Sequence, residues 1–260
     1  MPLNWIDTTH LSFNALLLLE RVQLTWLPGW VPDADLGLAL KANPAVAWFI
    51  RHKCPEIGSW LDGVEAMPVG AADQQAVTAA EQSILHTIND LLVYALDPEI
   101  YDTQPFLGWD SNELTSLVDF TGKVVLDIGA GTGRLALTAA SLAQAVWAVE
   151  PVGNLRRYLL EKARRLGFER LYAVDGLITA IPFPDGFAQV TMCGHVFGGD
   201  PEREVVELER VTCPGGMVIL CPGTSENEQA AHAVLVGRGY QCSRFEEPGD
   251  GWKRKYWKER

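Results

Sequence analysis

Nine consecutive residues, Val125-Leu126-Asp127-Ile128-Gly129-Ala130-Gly131-Thr132-Gly133, constrain this chain more than any other stretch. An apolar, β-branched run ends in an acid, a turn of alternate glycines follows, and a helical pattern then begins. Glycine has no Cβ and tolerates positive φ, so such a turn lets the backbone approach a ligand closely. The helix behind it offers unpaired N–H groups and a partial positive charge. Strand, glycine turn and helix start together place a nucleotide-type cofactor at the C-terminal edge of a parallel sheet.

The spacing of the glycines selects among cofactors. A dinucleotide turn reads G-x-G-x-x-G. Here Gly129, Gly131 and Gly133 read G-x-G-x-G, and Arg134 stands where the last dinucleotide glycine would fall. Asp127 would repel a pyrophosphate and suits a ligand carrying a cationic or amine group. The string resembles motif I of the class I S-adenosylmethionine-dependent methyltransferases, whose ligand carries an α-amino group and a sulfonium.

Residues 1 to about 120 read as mainly helical with irregular connections. They hold Trp5, Trp26, Trp30, Trp48, Trp60 and Trp109, six of the nine tryptophans. One helix is expected from an Asp73 N-cap towards Leu96, ended by Asp97-Pro98. From Lys123 strands and helices alternate. Strands are expected at Lys123–Ile128, Ala145–Val149, Leu171–Val174, Gln189–Cys193 and Met217–Leu220. Helices are expected at Thr132–Ala143, around Leu155–Leu166, from Asp200-Pro201, and near Glu226–Val236. Two late strands, about Gln241–Glu246 and Trp252–Trp257, have no helix between them and read as an antiparallel hairpin. The alternation predicts an α/β fold: a doubly wound, seven-stranded, mostly parallel sheet with helices on both faces. The organisation expected is a helical N-terminal cap or substrate region over residues 1–105 and a cofactor-binding core over 106–260.

Further segments extend the resemblance over about residues 105–260. Ile181-Pro182-Phe183-Pro184-Asp185-Gly186-Phe187 is similar to the family's LPFPDxxF segment, and Glu209-Arg210-Val211 with Pro214-Gly215-Gly216 to its turn before strand five. The likeness is closest to small-molecule enzymes of the ubiquinone/menaquinone-biosynthesis type (type 11), and it implies a Rossmann-like methyltransferase fold. Glu150, ending the second strand, is placed as a ribose-binding acid is in nucleotide folds. The resemblance implies that Asp175 pairs with the adenine amino group and that Gly176 offers its N–H to the ring. Asp127, Gly129, Ala130, Gly131, Gly133, Glu150, Asp175, Gly176 and Cys193 are thus the candidate cofactor-binding residues. His195, after the fourth strand, is a candidate general base, because an imidazole titrates near neutrality. Tyr101, followed by Asp102, is the second catalytic candidate, as a tyrosine that closes over the cofactor in relatives. The chain departs from the family at Ala188, where an Asp is usual, and at the end of the fourth strand, which carries no acid. It also lacks the N/D-P-P-Y/F sequence of DNA-modifying relatives at that point.

Composition narrows the partners. The chain has 260 residues, 48% of them hydrophobic, and a net charge of −12. That charge argues against a nucleic-acid substrate. Residues 1–100 hold 12 acidic side chains against 4 basic ones, whereas Trp252–Arg260 is basic and reads as a solvated edge strand protected by its charge. Five widely spaced cysteines without C-x-x-C suggest neither disulfides nor zinc, and point to reduced thiols in a cytoplasmic protein. His52, Cys54 and Glu56 do not share a helix face and make a poor metal site. Neither a signal peptide nor a membrane segment is expected. The expected function is methyl transfer from S-adenosylmethionine, by in-line displacement, to a small apolar or aromatic acceptor. The rival reading is a non-catalytic protein that binds the same cofactor on the same scaffold.

Overall fold

A computed structural model describes residues 5–68 and 73–260. The chain divides into two compact units, Met1–Tyr101 and Asp102–Arg260.

The first unit is helical. After a 3-10 turn at Phe13–Leu18 come α1 (Arg21–Thr25), α2 (Asp33–Ala42), α3 (Pro44–Lys53), α4 (Gly58–Ala66), α5 (Gln74–Thr87), α6 (Asn89–Leu96) and α7 (Pro98–Asp102). Its own core is aliphatic, with Leu16, Leu24, Leu36, Leu40, Ile50, Leu61, Ile84 and Leu92 among the fully buried side chains. Helices α2 and α4 touch backbone to backbone: a Cβ on Gly37 would lie 2.5 Å from the Val64 carbonyl oxygen. The Asp73 cap forms, its carboxylate accepting from the Ala76 N–H at 2.8 Å. The single helix expected beyond it does not. The chain leaves helical geometry at Ile88 and restarts at Asn89. The buried Asn89 amide accepts from the N–H groups of Trp5 and Ile6 and donates to the Ile6 carbonyl. Asparagine favours such side chain to backbone bonds over a helix interior, and here it draws the helix apart to hold the N-terminal segment.

The second unit carries α8 (Asn112–Thr115), β1 (Val124–Ile128), α9 (Arg134–Ala140), β2 (Ala145–Val149), α10 (Gly153–Arg165), β3 (Leu171–Val174), β4 (Ala188–Cys193), α11 (Pro201–Val211), β5 (Thr212–Ser225), α12 (Gln229–Gly237), β6 (Gln241–Glu247) and β7 (Gly251–Glu259). The strands form one sheet in the order β3-β2-β1-β4-β5-β7-β6. Strands β1 to β5 are parallel, and β7 runs antiparallel to both its neighbours. The alternation of side chains along a strand separates two cores. Val125, Val146, Val190 and Ile219 pack with Leu135 of α9 and Leu159 of α10. Leu126, Ile128, Val218 and Leu220 pack with Val205 and Leu208 of α11 and Leu235 of α12. The sheet is doubly wound as expected. The order reverses between β1 and β4, and ligands of such sheets bind in the crevice at that point.

Three expectations need correction. The helix after the glycine turn starts at Arg134, later than Thr132, because Gly133 (φ 93°) is its left-handed cap. The fifth strand spans Thr212–Ser225, far beyond Met217–Leu220, because its far end pairs Thr224 and Ser225 with Arg254 and Lys253 of β7. The basic tail is not a solvated edge. β7 lies between β5 and β6, and its lysines are paired: Lys255 with Glu113 at 2.7 Å, Lys258 with Glu209 at 2.9 Å, Lys253 with Asp250 at 2.7 Å. Opposite charges from neighbouring segments make an interior basic strand tolerable.

Candidate functional site

The turn after β1 is built from glycines that the geometry requires. Gly129, Gly131 and Gly133 have φ of 68°, 53° and 93°. A Cβ on Gly129 would collide with Val196, and one on Gly133 with Leu159. The N–H groups of this turn point inward. Gly129 and Ala130 donate to the Val149 carbonyl at 2.7 and 3.2 Å, and Gly133 donates to Ala130. Gly131 donates to Glu150 Oε2 at 2.9 Å. A phosphate cradle would aim these donors at its ligand; this loop spends them on the end of β2.

Two buried acids brace the loop. Asp127 Oδ2 accepts the Ala136 N–H at 2.8 Å and so satisfies an orphan donor in the first turn of α9. Asp127 Oδ1 is buried without a hydrogen-bond partner, as is the Thr132 hydroxyl. Burial pushes the Asp127 pKa up to about 7; the Ala136 bond opposes the rise and the nearby Glu150 charge adds to it. Glu150 accepts from Gly131 through Oε2 and from the Val152 N–H through Oε1, at 2.9 Å each. An acid with an unsatisfied oxygen beneath a loop that offers few donors fits a cationic ligand better than an anionic one.

The other expected cofactor residues lie along the same edge. Asp175 follows β3, is exposed, and pairs with Arg156 at 3.3 Å; Arg156 also donates to the Glu150 carbonyl, bridging the ends of β2 and β3. Gly176 is packed so closely that a Cβ would meet Pro182 at 2.6 Å and Val149 at 2.7 Å. Cys193 ends β4 fully buried, and burial raises its thiol well above the ordinary range.

Arg134, which counted against a dinucleotide, has a structural task. Its guanidinium donates to the carbonyls of Leu107 and Trp109 and to the Ser111 hydroxyl, and it lies over the Trp109 ring. It fastens the segment before β1 onto α9. Arg210 does the same for the Ile181–Phe187 segment. It donates to the carbonyls of Phe183 and Ile181 and pairs with Asp185 and Glu207. The two family-like segments are thus one clamp.

His195 follows β4 with φ of 61°, a left-handed conformation uncommon outside glycine. Its Nε2 lies 2.7 Å from Glu247 Oε1, and its ring meets Phe106 edge to face. Glu247, at the end of β6, is fully buried, with Lys253 Nζ 3.7 Å from its other oxygen. A cleft of about 280 Å³ is lined by His195, Phe197, Gly223, Thr224, Ser225, Glu228 and Lys253. Glu247 and Lys253 were missed as site residues in the sequence. One signal was present: Glu247 falls two residues after the buried Phe245, on the same strand face. Tyr101 belongs to the helical unit, where its ring packs edge-on against Trp5 and Tyr94. Asp102 accepts from Tyr158 and Lys162 of α10. Among the described residues no group of three His, Cys, Asp or Glu could hold a metal. His52 stacks on Trp48, and Cys54 is buried.

Comparison with known proteins agrees with this reading of the core. Residues 126–220 match the Methyltransf_11 family, described as a methyltransferase domain. An uncharacterized methyltransferase of Geobacillus thermodenitrificans is 25% identical over 171 residues, covering 63% of this chain and 76% of its own. A counterpart from Geobacillus kaustophilus is 24% identical over the same length. The structure of a SAM-dependent methyltransferase from Aquifex aeolicus covers 64% of this chain and 90% of its own, at 20% identity and a TM-score of 0.47. That last likeness adds nothing to the sheet order already described. The glycine turn with its acid, the two family-like segments and the match over residues 126–220 converge on an S-adenosylmethionine-dependent methyltransferase domain in the core unit, with S-adenosylmethionine as its cofactor.

Proposed function

We propose that the core unit holds S-adenosylmethionine across the ends of β1, β2 and β3 and methylates a small polar acceptor bound in the cleft above β4 and β5. The observation that carries this is the pair Asp127 and Glu150 beneath a glycine loop whose N–H groups point inward. Asp127 favours the cationic end of the ligand. Glu150, at the end of β2, is the proposed acceptor for the ribose hydroxyls, as a carboxylate at that position is in nucleotide folds. Asp175 and Gly176, at the end of β3, are the proposed contacts for the adenine, with Ala130 and Cys193 the remaining cofactor candidates at the ends of β1 and β4. When bound, the cofactor supplies an activated methyl group on a sulfonium. The protein supplies proximity, alignment and exclusion of water.

The acceptor proposed here differs from the apolar or aromatic one that the tryptophan-rich N-terminal region suggests. The cleft beside His195 presents Thr224, Ser225, Glu228 and Lys253, which are groups that orient a hydrogen-bonding molecule. The net charge of −12 disfavours a nucleic acid. Among the described residues no helix is long and apolar enough to cross a membrane. Tritium transfer from methyl-labelled cofactor to a panel of small hydroxy, amino and aromatic compounds, run beside transfer RNA and duplex DNA, tests the reading. Label is expected in hydroxy or amino compounds. Label in nucleic acid, or only in acceptors without a polar hydrogen, would overturn it.

A further inference from the structure

The cleft in the core unit holds one arrangement that neither the family segments nor the cofactor loop explains. His195 is held from three directions. Its N–H donates to the Pro222 carbonyl at 3.2 Å, its Nε2 meets Glu247 at 2.7 Å, and Phe106 packs edge-on against the ring. Its backbone sits at φ 61°, and sparsely populated geometry in a non-glycine residue persists where surrounding contacts over-determine it. The carboxylate is buried on β6, 52 residues away in sequence, and its second oxygen has no hydrogen bond. Burying an acid is costly unless it is paired, and a carboxylate facing an imidazole nitrogen accepts its hydrogen.

We propose that His195 and Glu247 form a proton-accepting pair, in which Glu247 keeps the neutral imidazole protonated at Nε2 and leaves Nδ1 to take the proton of an acceptor O–H or N–H bound in the cleft. This rests on the methyl-transfer reading above. The acceptor's X–H bond breaks and its proton passes to Nδ1. The electron pair left on X forms the bond to the methyl carbon, and the former C–S pair stays on sulfur. One positive charge is consumed at the sulfonium and one appears on the imidazole ring, beside the Glu247 carboxylate. His195 is thus the proton acceptor and Glu247 its positioning residue, an orientation logic shared by other acid–imidazole pairs. The acceptor class follows: molecules whose O–H or N–H must lose its proton for transfer.

The charged groups facing the imidazole are Glu247 from β6, Lys253 from β7 and Glu228 before α12, all of them at the cleft or behind it; Asp250 holds Lys253. Removing the Glu247 charge leaves Lys253 to oppose imidazolium formation. The test uses the full chain, with His195→Gln to assign the signal. Nitrogen-15 NMR of the imidazole should show the neutral ring protonated at Nε2. In Glu247→Gln, which keeps the shape but removes the charge, the ring should lose its preference for the Nε2-protonated form; Glu247→Asp, which keeps the charge, should retain it. Mass-mapped carbethoxylation should modify His195 at Nδ1 in the native chain. S-adenosylhomocysteine affinity, measured by calorimetry on the same samples, should be unchanged in all variants. An Nδ1-protonated ring, an unchanged tautomer preference in Glu247→Gln, or an unreactive His195 would overturn the pair while leaving the cofactor site intact. Native protein that fails to bind S-adenosylhomocysteine would overturn the methyl-transfer reading instead.

Discussion

The two halves of the sheet satisfy their buried acids in different ways. On the β3-β2-β1 side, Asp127 and Glu150 accept backbone N–H groups drawn mostly from residues close in sequence. On the β4-β5-β7-β6 side, the buried Glu204 likewise accepts nearby backbone N–H groups, but the buried Glu247 and the half-buried Glu113 and Glu209 meet lysines or a histidine brought in from distant segments; Lys255 and Glu113 are 142 residues apart. Backbone donors cannot titrate or move away, so the first half is pre-organised by the chain itself. Ion pairs depend on pH, salt and the survival of both partners. A conserved reagent such as a nucleotide-type cofactor suits the first kind of site, and an acceptor that must be deprotonated suits the second.

The largest effect should come from the pre-organised half. Gly131→Val places a β-branched side chain at φ 53° in the loop, and we expect cofactor affinity to fall by about a hundredfold or more while the circular dichroism stays native. Near-native affinity in calorimetry would mean that the loop is not the site. Next is Glu150→Ala. It removes the acceptor of two N–H groups and of the proposed ribose contacts, and charge-assisted bonds are worth about 1.5–3 kcal/mol each. Affinity should drop at least about tenfold, and a wild-type isotherm would remove Glu150 from the site.

The ion-paired half should respond in stability rather than in cofactor affinity. Lys255→Met leaves Glu113 without its partner and should cost about 1–3 kcal/mol in urea unfolding, with unchanged affinity for the cofactor. The native chain should also lose more stability than Lys255→Met when salt is raised. If both respond equally, charge does not hold this half together, and the contrast between the halves fails.

The contrast also marks what the sequence could convey. The glycine turn, the Asp127 and Glu150 positions and the strand–helix alternation are local patterns, and each was legible. The Asp200-Pro201 helix start was legible too, and the structure adds that Glu204 folds back onto the N–H groups of Gly198 and Asp200. The position of β7 between β5 and β6 was not, because strand order is set by packing between distant segments. A basic run looks like an edge until its partners Glu113 and Glu209 are in place. The break at Ile88 was hidden for the same reason: what draws Asn89 out of a continuous helix is the backbone of Trp5 and Ile6. His195 could be picked out by its place after β4, whereas for its partner Glu247 the sequence offered only a shared strand face with Phe245.

A smaller effect concerns pH. Asp127 titrates near 7 in the folded chain and near 3.8 when unfolded. The native state therefore binds the extra proton, so this group favours folding most at acid pH and loses that contribution as pH rises towards about 7. Asp127→Asn keeps an acceptor for the Ala136 N–H and removes the titration. Its stability relative to the native protein should increase between pH 5 and pH 8 in parallel denaturant titrations. A constant difference across that window would show that Asp127 does not ionise there.

The central claim is that the loop after β1 is shaped for a cationic, phosphate-free cofactor. Calorimetric titration of the native chain with S-adenosylmethionine and, separately, with NAD tests it most directly. The account predicts a one-to-one isotherm for S-adenosylmethionine that disappears in Gly131→Val, and no measurable heat with NAD. Tighter binding of NAD, or S-adenosylmethionine binding that survives in the folded Gly131→Val variant, would contradict it.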